Sequence, residues 1–120
     1  MPKVTTTTLK KDDGTVVCAR CTVADTPRAR MKGLLGRSSL DPDEGILLTP
    51  GGSVHMFFMR FAIDAVFLDA ERRIVRIASD VRPWRTAAAK RSRAVLELAA
   101  GEAARVGLQP GHLLRLEVEG

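Results

Sequence analysis

Hydrophobic and polar positions along the chain change period several times, and each change marks an element. Val4 to Leu9 and Thr15 to Val23 are β-prone and flank Lys11-Asp12-Asp13-Gly14, which predicts an N-terminal hairpin. From Thr26 the spacing turns helical, with Met31, Leu34 and Leu35 at i, i+3 and i+4. Thr26 suits the N-cap, Pro27 the first helical position and Gly36 a left-handed C-terminal residue. Arg28, Arg30 and Lys32 are assigned to the other faces. A cation near a helix N-terminus opposes the macrodipole, so Arg28 has a reason other than stability.

Asp41 to Gly45 forms a turn before the buried run Ile46-Leu47-Leu48, and Pro50-Gly51-Gly52 forms another. In Ser53 to Asp69, Phe57, Met59, Phe61, Ile63, Ala65 and Phe67 share one parity. A bend near Arg60 to Ile63 is expected to divide this stretch into strands His55–Arg60 and Asp64–Asp69. Ala70 to Arg73 turns into a strand from Ile74 to Ala78, and the polar segment Asp80 to Ser92 reads as a loop. Ala94 to Leu98 is a strand leading to a short helix over 100–106, closed by Gly107. Gln109-Pro110-Gly111-His112 fits a type II turn. The last strand points Leu114, Leu116 and Val118 inward and Arg115, Glu117 and Glu119 outward. The sum is an α+β fold: a mainly antiparallel, barrel-like sheet of about seven strands with two short helices. The length of 120 residues suits one domain over 1–120, with 1–15 as an N-terminal strand or arm.

Composition narrows the class. An apolar fraction of 45% with 28% charged residues excludes global disorder. The apolar run from Val54 to Met59, broken by His55, is far too short to span a membrane, and the N-terminus lacks signal-peptide features. A cytoplasmic location without a membrane partner is the expectation. The net charge is +5, and most of the excess lies between Arg72 and Arg93, where eight basic residues face only Asp80. Such a segment invites an acidic partner. With one Trp and no Tyr in the chain, however, the aromatics that a nucleic-acid surface interleaves with its cations are scarce. Nucleic acid therefore ranks last among partners, and a solvated basic face is the expected state.

Candidate chemistry is sparse. Cys18 and Cys21 are spaced C-x-x-C, but their context, VVCARCTV, reads as a strand. Residues three apart on a regular strand point to opposite faces, which suits two structural thiols and no metal or redox cofactor. Asp64 interrupts an apolar segment, so its carboxylate must be paired, hydrogen-bonded or neutral. It is a candidate general base or binding carboxylate; the favoured reading has it accept backbone N–H bonds at the bend or pair with Arg60, Arg28 or Arg37. Glu97 interrupts VLEL in the same way and either points outward or meets Asp64 as an acid–base pair or divalent-cation site. His55 opens the central strand as a candidate catalytic base, and more simply as a hydrogen-bonded edge residue. Trp84, between Arg82-Pro83 and Arg85, is either an exposed stacking surface or a lid over the barrel end. Phe57, Phe58 and Phe61 are assigned to the core.

Several segments taken together resemble a known family. RARMKGLLGRSSLDPDEGILL, VHMFFMRFAIDAVFLD, IVRI, Pro83, VLELAAG and the closing Pro110-Gly111 strand resemble the bacterial and archaeal family DUF192, domain of unknown function 192, over roughly Cys18 to Leu116. By that resemblance Arg28, Gly33, Leu34, Arg37, Gly45, Met59, Asp64, Phe67, Glu97 and Gly101 fall on recurring motif positions. His112, Ala62 and Arg73 depart from residues common in the family. Many members are secreted or periplasmic, and this chain fits a cytoplasmic subgroup. The resemblance implies a fold and no established activity.

Three functions follow in order. The first is a small accessory or binding module whose Arg28, Arg37, Asp64 and Trp84 hold an anionic small molecule or a protein partner. The second is a hydrolase using Asp64 with His55 or Glu97. The third is weak nucleic-acid binding through residues 72–93. Oligomeric state is not legible in the pattern.

Overall fold

In the computed structural model, which describes residues 5–34, 37–57 and 59–118, a single curled sheet carries most of the chain. Its strands and helices are, in order, β1 (Thr5–Lys11), β2 (Val16–Ala24), α1 (Pro27–Leu34), β3 (Glu44–Leu48), β4 (Ser53–His55), β5 (Ile63–Leu68), β6 (Ile74–Val81), β7 (Thr86–Ala88), β8 (Ala94–Ala99), α2 (Glu102–Arg105) and β9 (Leu114–Val118). Seven strands form the sheet in the order β6-β5-β8-β3-β2-β1-β9, while β4 and β7 form a separate pair. All neighbours are antiparallel except β2 and β3. Parallel neighbours need a crossover, and α1 supplies it. The α+β, barrel-like class expected from the sequence is the observed one.

The sheet curls until its two edges meet at one end. Arg73 bridges Leu113, the Ile74 N–H donates to the His112 carbonyl, and the Leu114 N–H donates to the Arg72 carbonyl. The turn from Gln109 supports this seam, with Gly111 at φ +96° and the His112 N–H donating to Gln109. Curling separates two cores. Leu9, Cys18, Cys21, Val66, Leu96, Leu98 and Leu114 fill the concave side, closed over by Ala103, Val106 and Leu108 in and after α2. Leu34, Ile46, Met56, Ile63, Ala65, Phe67 and Val95 fill the other side, under α1 and β4. Strands β5 and β8 are therefore apolar on both faces, which is why they read as almost continuous hydrophobic runs.

Several boundaries differ from the sequence reading. Of the expected strand His55–Arg60 only His55 lies in a strand, as the last residue of β4, because the backbone turns at Met56 and Phe57 before Arg60. The bend thus starts four residues earlier than alternation implied, and Phe57 is 40% exposed instead of core. The segment 80–92 holds β7 and the end of β6 as well as a loop. The helix expected over 100–106 is limited to Glu102–Arg105. Thr26 does cap α1, its Oγ accepting the Ala29 N–H at 3.0 Å. Val4, Leu35, Gly36, Phe58 and Glu119, and the side chains of Met31 and Val118, lie outside the described residues.

Cys18 and Cys21 share a face. Between them β2 carries a bulge, with Thr7 opposite Cys21 but Leu9 opposite Cys18, so three residues of β2 span two of β1. The extra residue cancels the alternation, and both thiols enter the concave core. Burial of the two is complete. The Cys21 thiol is pushed far above its ordinary range, first by its hydrogen bond with Cys18 and then by desolvation. Gly45 of β3 leaves room for them: a Cβ there would lie 2.8 Å from Cys18 Sγ.

Candidate functional site

The two buried carboxylates of the central strands belong to opposite faces. Asp64 stands opposite Leu98 across the β5–β8 ladder, and Glu97 stands opposite Ala65. Cross-strand partners share a face and successive residues alternate, so Asp64 points to the concave side and Glu97 to the convex side. Of the two alternatives for Glu97, pointing outward or meeting Asp64 as an acid–base pair or cation site, neither forms, since Glu97 is buried on the other face. Among the described residues no three His, Cys, Asp or Glu side chains cluster as metal ligands.

Asp64 instead ties three backbone segments together. Its Oδ1 accepts the Asp80 N–H at 2.9 Å, and its Oδ2 accepts the Gly101 and Ala103 N–H groups, each at 3.0 Å. The first closes the bulge of β6, where Asp80 takes φ +53°. The other two cap the start of α2, where Gly101 at φ +94° turns the chain and its own side provides no cap. Sequence favoured backbone acceptance at the bend or an arginine partner; the carboxylate does accept backbone N–H bonds, with both oxygens, but from β6 and the start of α2.

Glu97, entirely buried, holds Arg30, which is 3% exposed. Glu97 Oε1 accepts Arg30 Nε at 2.5 Å and Oε2 accepts Nη2 at 2.7 Å, a side-by-side geometry that uses the fixed guanidinium fork. Arg30 Nη1 also donates to the His55 carbonyl at 3.1 Å, and Nη2 lies 3.7 Å from Met56 Sδ. The pair therefore joins α1, β8 and the end of β4. Sequence reasoning gave Arg30 to an outer helix face and missed it. The available signal was its place one turn before Leu34, which puts it on the buried stripe.

The remaining candidates separate. Arg37 is engaged by Glu44 through two bonds of 3.0 and 2.6 Å, and that pairing holds the Glu44 carboxyl below its ordinary range. Arg28 is exposed on α1. His55 and Trp84 do come together through Phe57: the His55 and Phe57 rings stack at 4.9 Å, and the Phe57 and Trp84 rings lie 5.9 Å apart. Trp84 is 59% exposed, so it is a surface residue and not a lid. His55 Nδ1 is buried without a hydrogen-bond partner among the described residues. Beside this row lies a groove of about 450 Å³ on the β4–β7 pair, lined by Ser53, Val54, His55, Thr86, Ala87, Ala88 and Arg76 of β6. Arg76 donates to the Ala88 carbonyl and sits over the Phe67 ring at 5.9 Å.

Fold and site together define a curled-sheet protein whose buried acids serve structure and whose polar groove lies on a surface strand pair. The chain belongs to the DUF192 family of uncharacterized ACR proteins, whose sequence model matches residues 7–116. It is 36% identical over 84 residues to a UPF0127 protein of Thermococcus sibiricus, a stretch covering 64% of this chain and 52% of that protein. The chain thus matches about half the length of that relative. A protein of unknown function from Novosphingobium aromaticivorans shares the fold with a TM-score of 0.76 at 29% identity, over 93% of this chain and 84% of its own. A proposed transcription regulator from Sinorhizobium meliloti superposes with a TM-score of 0.83 at 23% identity, over 97% of each chain. At that identity the second likeness concerns the fold alone. No helix among the described residues is long and apolar enough to cross a membrane.

Proposed function

We propose that this protein is a binding module that takes a small anionic ligand in the groove on the β4–β7 pair beside Arg76. One observation carries the reading: Arg76 and His55 line the same groove, and among the described residues the buried His55 Nδ1 has no hydrogen-bond partner. Buried polar atoms in folded proteins are nearly always paired, so the unpaired nitrogen marks His55 as a groove residue whose hydrogen bonding is incomplete. Ser53 and Thr86 add hydroxyls that donate to an oxyanion. The form of the hydrolase alternative that pairs Asp64 with Glu97 loses its support, because the two face apart and both are engaged by other partners. Arg37 leaves the proposed ligand set for the same reason, since Glu44 holds it. A cytoplasmic location belongs to this reading as well.

The test is thermal unfolding with inorganic phosphate, sulfate or a small dicarboxylate. A ligand at a hundredfold excess over its Kd adds about 2.7 kcal/mol, a rise in Tm of several degrees. The rise should appear in the parent protein and disappear in Arg76→Gln and in His55→Phe, which keeps the stack on Phe57. An equal rise in all three would mean general salt stabilisation and sink the reading.

A further inference from the structure

We propose that the surface formed by the groove, the His55–Phe57–Trp84 row and the basic segment 72–93 binds single-stranded nucleic acid. The inference rests on the anion-binding reading above and names the source of the anion as a backbone phosphate.

Three observations carry it. The first is the aromatic row itself. Sequence shows one Trp and no Tyr, yet the fold gathers His55, Phe57 and Trp84 from two separate segments into ring contact. Phe57 and Trp84 are 40% and 59% exposed, large apolar surface that folding alone would bury. An exposed indole face stacks on any base, which gives affinity without sequence preference.

The second is how Trp84 is held. It takes φ +68°, in the left-handed region that a bulky residue avoids. Its N–H donates to the Met56 carbonyl at 2.7 Å, the Met56 N–H donates to the Arg85 carbonyl at 2.8 Å, and the Arg85 N–H donates to the Arg82 carbonyl at 3.1 Å. Strain imposed by this many bonds keeps a tryptophan on the surface, and strained residues held by their surroundings concentrate at functional sites.

The third is charge. Arg76 lines the groove, Arg82 and Arg85 flank the tryptophan in sequence, and Lys90, Arg91 and Arg93 follow after β7 toward Gly51 and Leu68, all of these cations exposed. The one acid in the segment, Asp80, is already paired with Arg82 at 3.1 Å. The other exposed acids among the described residues are Asp12, Asp13, Asp25, Asp41, Asp43, Glu71 and Glu117, of which Glu71 alone adjoins the segment in sequence. A cationic track beside a stacking ring is what a single strand requires, with phosphates on arginine and a base on the indole. A duplex keeps its bases stacked inward and offers the ring nothing.

Because Trp84 is the chain's sole tryptophan, its fluorescence reports this surface directly. The experiment titrates the full chain with a fluorescein-labelled oligothymidylate of about twelve residues, its duplex with oligoadenylate, and thymidine monophosphate. The expected result is saturable binding of the single strand with quenching of Trp84, weaker binding of the duplex and the monophosphate, and affinity falling steeply between about 50 and about 200 mM salt. Trp84→Ala should weaken binding about tenfold or more, while Trp84→Phe retains most of it. No binding up to about 100 μM at low salt, or an affinity that Trp84→Ala leaves unchanged, would overturn the proposal. So would the monophosphate binding as tightly as the strand. If the strand fails while phosphate or sulfate still raises Tm in the parent and not in Arg76→Gln, the strand proposal falls and the anion site stands. If both fail, both fall.

Discussion

Three backbone N–H groups end on the Asp64 carboxylate, so replacing that side chain leaves donors from the β6 bulge and the start of α2 without an acceptor. Buried donors stranded in this way cost about 1–3 kcal/mol each, softened where water can enter. Asp64→Ala is therefore expected to lower unfolding stability by about 3 kcal/mol, measured by urea denaturation, and Asp64→Asn by less. Glu97 carries a different liability. Glu97→Ala strands a guanidinium that is 3% exposed, a loss of about 3–5 kcal/mol. The double replacement Arg30→Met with Glu97→Leu removes both charges and should recover most of that loss; if it is as unstable as Glu97→Ala, the deficit is one of packing and not of stranded charge. In the sequence the two acids are equivalent, each a lone carboxylate in an apolar strand. That each must be satisfied was legible from burial chemistry alone. Which partner satisfies it was not, because the answer depends on strand register and on α1 landing beside β8, both long-range facts.

Elements built on local chemistry were the readable ones. Thr26 and Pro27 announce α1, Gly107 ends the short helix α2, and the Pro110-Gly111 turn precedes β9 as its residue types demand. Errors arose where a tertiary contact overrides a period. Alternation from His55 to Phe61 looks like a strand, but Met56 exchanges backbone bonds with Trp84 and Arg85 and leaves the sheet. The bulge in β2 likewise reverses the expected orientation of one cysteine, and no residue between Cys18 and Cys21 signals it. The consequence is testable at the level of this element. Both thiols are sealed in the concave core, and the Cys21 proton is held first by the hydrogen bond with Cys18 and then by burial. The thiolate is the reactive species, so native protein should resist iodoacetamide at mildly alkaline pH and react at both positions once unfolded. Rapid native alkylation read by mass spectrometry would contradict this packing. Gly45→Ala offers a companion measurement, since its methyl would press on Cys18 Sγ and on the Glu97 carbonyl at 3.1 Å; a lower Tm is expected.

The whole molecule carries its surface charges in two kinds of place, and this sets how it answers acid. Exposed basic residues are concentrated in 72–93, where Arg76 lines the groove, whereas Arg20 and Arg37 clamp the acidic turn that precedes and opens β3. Net charge and its uneven distribution were legible at once, because counting needs no fold. The meeting of that charge with an aromatic row was not, since Phe57 and Trp84 are joined only when β4 pairs with β7. At the acidic turn, Glu44 is held below its ordinary value of 4.5, chiefly by hydrogen bonding to Arg37, and Asp43 below 3.8, chiefly by hydrogen bonding to Arg20. A carboxylate whose folded pKa lies below its unfolded one binds fewer protons when folded, so stability rises with pH across the interval between the two. The stabilisation is complete above the unfolded values and drains away as pH falls through the folded ones. Urea midpoints should therefore change little between neutral pH and pH 4.5 on account of these groups, then decline on further acidification. Arg37→Gln returns Glu44 toward its ordinary value and should flatten that decline while lowering stability at neutral pH. The clamp is partly exposed, so solvent screening keeps the effect modest, about 1 kcal/mol or less. An acid limb equally steep in Arg37→Gln and the parent would show that the pair contributes nothing to the pH dependence, and would leave that dependence at the turn to the Arg20 contacts with Asp41 and Asp43.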